Sequence, residues 1–177
     1  MESISLDDRG VIERQIGRSA RGVAGIPVRC SYGYPQVIRV QPLIDREPFP
    51  TLYWLTCPYL AKEIDRLEAD GWVGRLERRM NEDPQLGTEM AQAHARYIVE
   101  RTAMLTDTEH IELESSGMRR SLLEKGIGGI ADRRRLKCLH LHVAHHLASG
   151  NPIGAIVCAM LPSSECESEE VICSALT

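Results

Sequence analysis

Hydrophobic positions along this chain change their rhythm near residue 58. Before it, apolar residues come in short runs between turn formers: "GIPVRC" (25–30), "PQVIRVQPL" (35–43) and "PFPTLYWLTC" (48–57). Their β-branched and aromatic content predicts three strands, the first two joined through the turn-rich "SYGY". Pro48 and Pro50 place the third strand at a sheet edge or push its start outward, because proline cannot donate to a ladder. A helix precedes them. Ser5 followed by "LDDRGVIERQIGR" gives a cap and a partly one-sided set of Leu6, Val11, Ile12 and Ile16.

Beyond residue 58 the apolar spacing becomes helical. "PYLAKEIDRLEADG" opens on a first-turn proline and ends at Gly71, and a short segment "WVGRLERRMNED" follows. "PQLGTEMAQAHARYIVERTAML" begins at another such proline and is the longest helix. Residues 106–117 read as a polar connection, "MRRSLLEKG" as a short helix and "GIGGI" as a flexible turn. "DRRRLKCLHLHVAHHLASG" reads as a helix closed by Gly150, and "NPIGAIVCAML" as a last one, capped by Asn151 with Pro152 in first position. The expected class is α+β: a small antiparallel sheet of about three strands near the N-terminus, packed on a helical majority. Residues 1–161 are expected to form one globular domain, and 162–177 an acidic, loosely ordered tail.

Composition narrows the function classes. The 177 residues are 43% apolar, which suits one globular domain, and no apolar run reaches the length of a membrane helix. "MESISLDDRG" is acidic and polar, unlike a secretory signal, so the expected address is the cytoplasm. A net charge of −4 argues against a coat for nucleic acid, and with 5% aromatics "YGY" (32–34) and "YW" (53–54) read as core and turn residues before base-stacking platforms. Basic stretches at 75–79, 118–120 and 133–137 leave room for a small anionic ligand, although arginines on solvated faces beside glutamates are the plainer reading.

The chemistry concentrates at the end of the chain. Four of six histidines and one of six cysteines fall between residues 138 and 146. On a helical wheel Leu136, Leu139, Val143 and Leu147 make one stripe that includes His140, while Cys138, His142 and His145 share the opposite side. Cys138 and His142 are four apart, the spacing that puts two ligands on one face. Cys30 and Cys57 fall at the ends of predicted strands, where scaffolds present ligands and nucleophiles. Cys57 also precedes a helix, whose dipole favours a thiolate. Three thiols with one imidazole suit structural zinc; without it they could hold an iron–sulfur cluster with one open iron. No C-x-x-C pair occurs. Cys158 reads as a small buried hydrophobe, and Cys166 and Cys173, in an acidic tail, do not read as ligands.

These same blocks carry a resemblance. "CSYGYPQVI", "PFPTLYWLTCPYL", "KCLHLHVAH" and "ASGNPIG" resemble, in order and over about residues 12–155, a bacterial family catalogued as a domain of unknown function, number 501. The family's members are uncharacterised cytoplasmic proteins, so the resemblance implies no reaction. Its first block maps onto Cys30, Gly33 and Pro35, with Ser31 where proline is usual. Its last maps onto Lys137, Cys138, His140, His145 and Gly150, leaving His142 and His146 at open positions. That favours His145 as a site residue over His142. Relatives with histidine in place of Cys57 favour zinc over a cluster. The acid that follows N-P-x-G in the family is absent here, where Ala155 stands.

Three functions compete. The first is a metal centre, expected to be zinc with an iron–sulfur cluster as the alternative, drawing on Cys30, Cys57, Cys138, His140, His142 and His145. The second is a cysteine–histidine enzyme with Cys57 or Cys138 as nucleophile and His140 or His145 as base. The third is a binding module in which Arg133 and Arg135 meet an anionic partner.

Overall fold

The computed structural model describes residues 4–167 and 169–176; residues 1–3, 168 and 177 lie outside the described residues. Its frame is a three-stranded antiparallel sheet in the order β1 (Val23–Arg29), β2 (Pro35–Val40), β5 (Tyr53–Leu55). A two-stranded hairpin, β3 (Leu43–Ile44) with β4 (Glu47–Pro48), interrupts the path between β2 and β5. The fold is α+β, with the sheet near the N-terminus and eight helices among the described residues. Both edges suit their prolines. β1 carries Pro27 and pairs with β2 through a shifting register, and β5 starts only after Pro48 and Pro50 have been passed.

The central strand explains the two-layered core. In β2, Val37 faces Leu55 and Ile38 faces Trp54 across the ladder, so successive residues point to opposite sides. On one side Ile38 and Val40 pack with Ile12 and Ala20, beneath α1 (Leu6–Ile16). On the other, Val37, Tyr53 and Leu55 join the main core with α7 (Leu139–Ser149) and α8 (Pro152–Met160). Around this core run α2 (Pro58–Ala69), α3 (Trp72–Glu82) and α4 (Pro84–Thr102). The expected caps operate, Ser5 accepting from Asp8 and Asn151 from Gly154, and Asp83 caps α4 by accepting from Gln85 and Leu86.

Four stretches differ from the sequence expectation. Residues 106–117 contain a helix, α5 (Asp107–Ser115), fixed by a capping box between Thr106 and Glu109. A short α6 (Arg119–Leu123) follows. "GIGGI" is a buried 3₁₀ turn with no room to swing. The Arg101 guanidinium, fully buried in α4, donates to the carbonyls of Pro50, Leu122, Lys125 and Gly126. At Gly128 (φ +61) a side chain would collide with Leu141.

α7 begins only at Leu139. Ahead of it Asp132 accepts from the Arg134 amide, and glutamates of other helices take the next free amides, Glu77 from Leu136 and Glu68 from Leu139. The acidic tail, expected to be loose, runs back along the sheet. Gln36 donates to the Ser164 carbonyl, the Ser31 amide to Glu165 and the Tyr32 hydroxyl to the Cys166 carbonyl, and Cys173 is buried.

Candidate functional site

Cys138 is the residue before α7, in extended conformation, and its side chain does not cap the helix. Glu68, near the end of α2, takes that part: its Oε1 accepts the Leu139 amide at 2.5 Å. The same oxygen lies 3.1 Å from His140 Nδ1, on the first turn of α7. The other ring nitrogen, Nε2, donates toward the Ala61 carbonyl at 3.3 Å and lies 3.4 Å from Asp65 Oδ1. The ligand atoms of Glu68, Cys138 and His140 all fall within 4.8 Å of one another; among the described residues no other group of three histidine, cysteine or acidic side chains does so.

The electrostatics of this group favour a cation. Desolvation pulls the His140 imidazole down, but hydrogen bonds to Cys138 and Glu68 and the charge of both outweigh it, pushing the ring up to about 9. A sulfur and a carboxylate that stabilise a proton on the ring occupy positions from which they could also stabilise a metal ion in that proton's place.

The group opens on a cavity. A space of about 270 Å³ is bordered by Cys138 and His140 together with Tyr53, Trp54, Arg18 and Lys137. It shares Arg18, Phe49 and Trp54 with a larger open groove of about 670 Å³. The Arg18 guanidinium lies 4.4 Å over the Trp54 ring, and Lys137 Nζ donates to the Gly128 carbonyl, so both cations are held at the cavity wall.

The other histidines of α7 belong to the core. His142 and His145 are buried, and the Asn151 side-chain amide donates to Nδ1 of both, at 3.3 and 3.2 Å. His145 stacks on Tyr53 and meets Tyr97 edge-on at 4.9 Å. His94 of α4, also buried, accepts the Ile127 amide on Nδ1. Burial depresses all three rings, His94 and His142 to about 4 and His145 to about 3. His146 Nδ1 accepts the Asn151 amide. Thus His140 lies with Cys138, while His142 and His145 bond through Asn151 inside the protein. The wheel paired Cys138 with His142 because it ran the helix through Cys138, which stands before it in extended backbone, and it read one buried stripe where α7 is buried on several faces.

The structure does not bring the expected thiols to one point. Cys138 borders the cavity beside β5, whereas Cys30 and Cys57 line a different, enclosed one with Cys166 and Cys173. Cys57 is the N-cap of α2, yet its thiol is pushed up to about 11, because burial outweighs the amides of Leu60 and Tyr59 that point at its sulfur. The dipole argument for an acidic Cys57 therefore fails on desolvation.

Glu68 was not found from sequence. It is one of several acids on an amphipathic helix, roughly seventy positions from its partners, and nothing local distinguishes it. The basic stretches mostly pair with nearby acids, as in Arg135 with Glu77, Arg119 with Glu114 and Arg120 with Glu124. No described helix is long and apolar enough to cross a membrane.

Neither the curated proteins nor the solved structures include a match to this chain. One family does match, over residues 26–159, and that span holds Cys30, Cys57, Glu68, Cys138 and the histidines of α7. Since it covers most of the chain, the protein belongs to the family described as protein of unknown function (DUF501).

Proposed function

We propose that this protein binds a zinc ion through Glu68, Cys138 and His140, and that the remaining coordination position serves the adjoining cavity. The observation that carries the reading is the approach of three different donor types, from two helices, to within 4.8 Å of one another. Three protein ligands with a fourth position left for water or substrate are the arrangement of catalytic rather than structural zinc. Zinc would lower the pKa of a bound water to about 7 and polarise an oxygen bound beside it. Arg18 and Lys137 on the cavity wall suit a small anionic ligand.

Zinc content of the purified full-length chain tests this, compared with Cys138→Ala, His140→Ala and Glu68→Gln. The expected result is the loss of one zinc equivalent in Cys138→Ala and His140→Ala, with a weakened site in Glu68→Gln. The glutamine keeps an oxygen for the Leu139 amide but carries no charge. Zinc content that is the same in all four proteins overturns the proposal.

One observation favours a second reading. Cys138, His140 and Glu68 bring together a thiol, an imidazole and a carboxylate, the three kinds of group that serve as nucleophile, base and the group that orients the base. In a metal-free enzyme of that kind Cys138 would alkylate much faster near neutral pH than the other cysteines, in the presence of chelator, and His140→Ala would abolish the difference. Equal labelling of Cys138 and the half-exposed Cys158 would count against it.

A further inference from the structure

The second thiol cluster has no part in that centre. Cys30, Cys57, Cys166 and Cys173 come from three places in the chain and line one enclosed cavity of about 10 Å³. None of them is in a disulfide. Each is placed by local structure. Cys30 follows β1 in a tight turn whose Gly33 amide donates to the Cys30 carbonyl and whose Tyr34 carbonyl accepts the Cys30 amide. Cys57 stands at the head of α2 with the Tyr59 and Leu60 amides directed at its sulfur. Cys173 is buried in the final 3₁₀ turn, and Gln15 of α1 donates to its sulfur at 3.2 Å. Cys166 comes from the irregular stretch that Tyr32 ties to the β1–β2 turn.

We propose that these four cysteines form a structural zinc site that fastens the C-terminal tail to the β1–β2 turn and the start of α2. Four thiolates from two segments and a tail are a complete tetrahedral set, with no position left open. The volume favours one ion over an iron–sulfur cluster, since about 10 Å³ is roughly the space of a single water molecule. No three of these sulfurs lie within 4.8 Å of one another, whereas Zn–S bonds of about 2.3 Å set them closer. Binding therefore requires the thiols to turn toward one another, and a rotation about χ1 moves a cysteine sulfur by roughly 3 Å.

On binding, each thiol gives its proton to solvent as its bond to zinc forms, so one Zn²⁺ displaces four protons and the centre carries a net charge of −2. The Tyr59 and Leu60 amides and the Gln15 side chain are the donors that offset this charge. The site also explains why a segment as acidic as "SECESEEVIC" lies against the body of the protein. Apart from Val171, Ile172 and Cys173 it has little apolar surface to hold it there, and a metal supplies what burial does not.

The test uses the full-length chain purified without chelator and does not depend on the Glu68 centre. Zinc is measured in the parent, in Cys166→Ser/Cys173→Ser and in Cys138→Ala/His140→Ala. The expected result is one equivalent lost in the tail variant and that same equivalent retained in the other. Alkylation mapped by mass spectrometry on the unmutated protein guards against misfolding of the variant. Chelation should expose Cys30, Cys57, Cys166 and Cys173 together, while Cys158 labels at the same rate with and without it. Zinc content unchanged by Cys166→Ser/Cys173→Ser, including none in either protein, together with labelling insensitive to chelator, overturns the site. A single zinc lost only in Cys138→Ala/His140→Ala would overturn it and leave the Glu68 centre standing. A single zinc lost only in the tail variant would do the reverse.

Discussion

Arg101 and Cys57 show how burial decides what a side chain does in this protein. Among the described residues the Arg101 guanidinium has no carboxylate partner; its hydrogen bonds run to main-chain carbonyls of Pro50, at the end of α6 and in the "GIGGI" turn, and the Tyr97 ring lies 5.6 Å away. Desolvation lowers its pKa, but four main-chain carbonyls, those of Leu122 and Gly126 buried with it, hold the charge in place. Lysine cannot span that fork from one ammonium. We expect Arg101→Lys to cost about 3 kcal/mol or more, since each carbonyl left unsatisfied costs roughly 1–3 kcal/mol. Urea unfolding followed by far-ultraviolet circular dichroism measures it, and a loss well below 1 kcal/mol would show that the carbonyls find water instead. The same turn touches the candidate centre, because Gly128 packs on Leu141 and accepts from Lys137. At Cys57 the competition goes the other way: helix amides favour the charged thiol, burial opposes it, and burial wins.

At the level of elements, α7 is the part that brings the site together, and α8 fixes α7. Their crossing is close. A Cβ on Gly154 would lie 2.2 Å from the His142 carbonyl oxygen and 2.5 Å from the His146 Cβ, in backbone that cannot move aside without shifting α7. Gly154→Ala is therefore expected to destabilise the fold by about 3 kcal/mol or more, at the upper end of overpacking costs. It should also weaken zinc binding at the Glu68 centre, as α7 shifts relative to α2. A thermal unfolding midpoint within a degree or two of the parent's would mean that the crossing relaxes freely. Much of this architecture was legible: Ser5 and Asn151 announce their helices, Pro58, Pro84 and Pro152 open theirs, and the strands follow their β-branched runs. α5 was missed because its surface is charged nearly all round, with only Leu113 buried, although Thr106 and Glu109 spell out a capping box. The start of α7 was misjudged because residues 133–138 continue the helical apolar spacing. What stops the helix is Asp132 beside them and two glutamates far away in sequence. For the same reason Cys138 and His140 could be named as candidates while Glu68 could not.

Across the whole molecule, the buried imidazoles set how stability responds to acid. His94, His142 and His145 sit between α4, α7 and the sheet with folded pKa values of about 4, 4 and 3, against 6.5 when exposed. Between those limits the unfolded chain binds more protons than the folded one, so stability rises with pH there. The contribution of these rings is complete above 6.5, and it is lost progressively as pH falls from 6.5 toward their folded values. All three rings must take up protons against burial and one another's charge, so acid favours the unfolded chain. His140 runs oppositely. Without metal its folded value of about 9 lies above 6.5, so its contribution is complete below 6.5 and lost as pH rises through 9. Stability of the metal-free, chelator-treated protein should therefore peak near pH 6.5 and decline on both sides, more steeply toward acid. Urea midpoints across the range measure this, and His145→Phe assigns it. Phenylalanine keeps the ring contacts with Tyr53 and Tyr97, removes a ring nitrogen that has no partner, and gives up one Asn151 hydrogen bond. The variant should stay within about 2 kcal/mol of the parent near neutrality, the net of one lost hydrogen bond and one relieved orphan. Below pH 6 it should lose stability less steeply, and an acid limb that keeps its full slope without His145 would mean that carboxylates, not buried rings, carry the response.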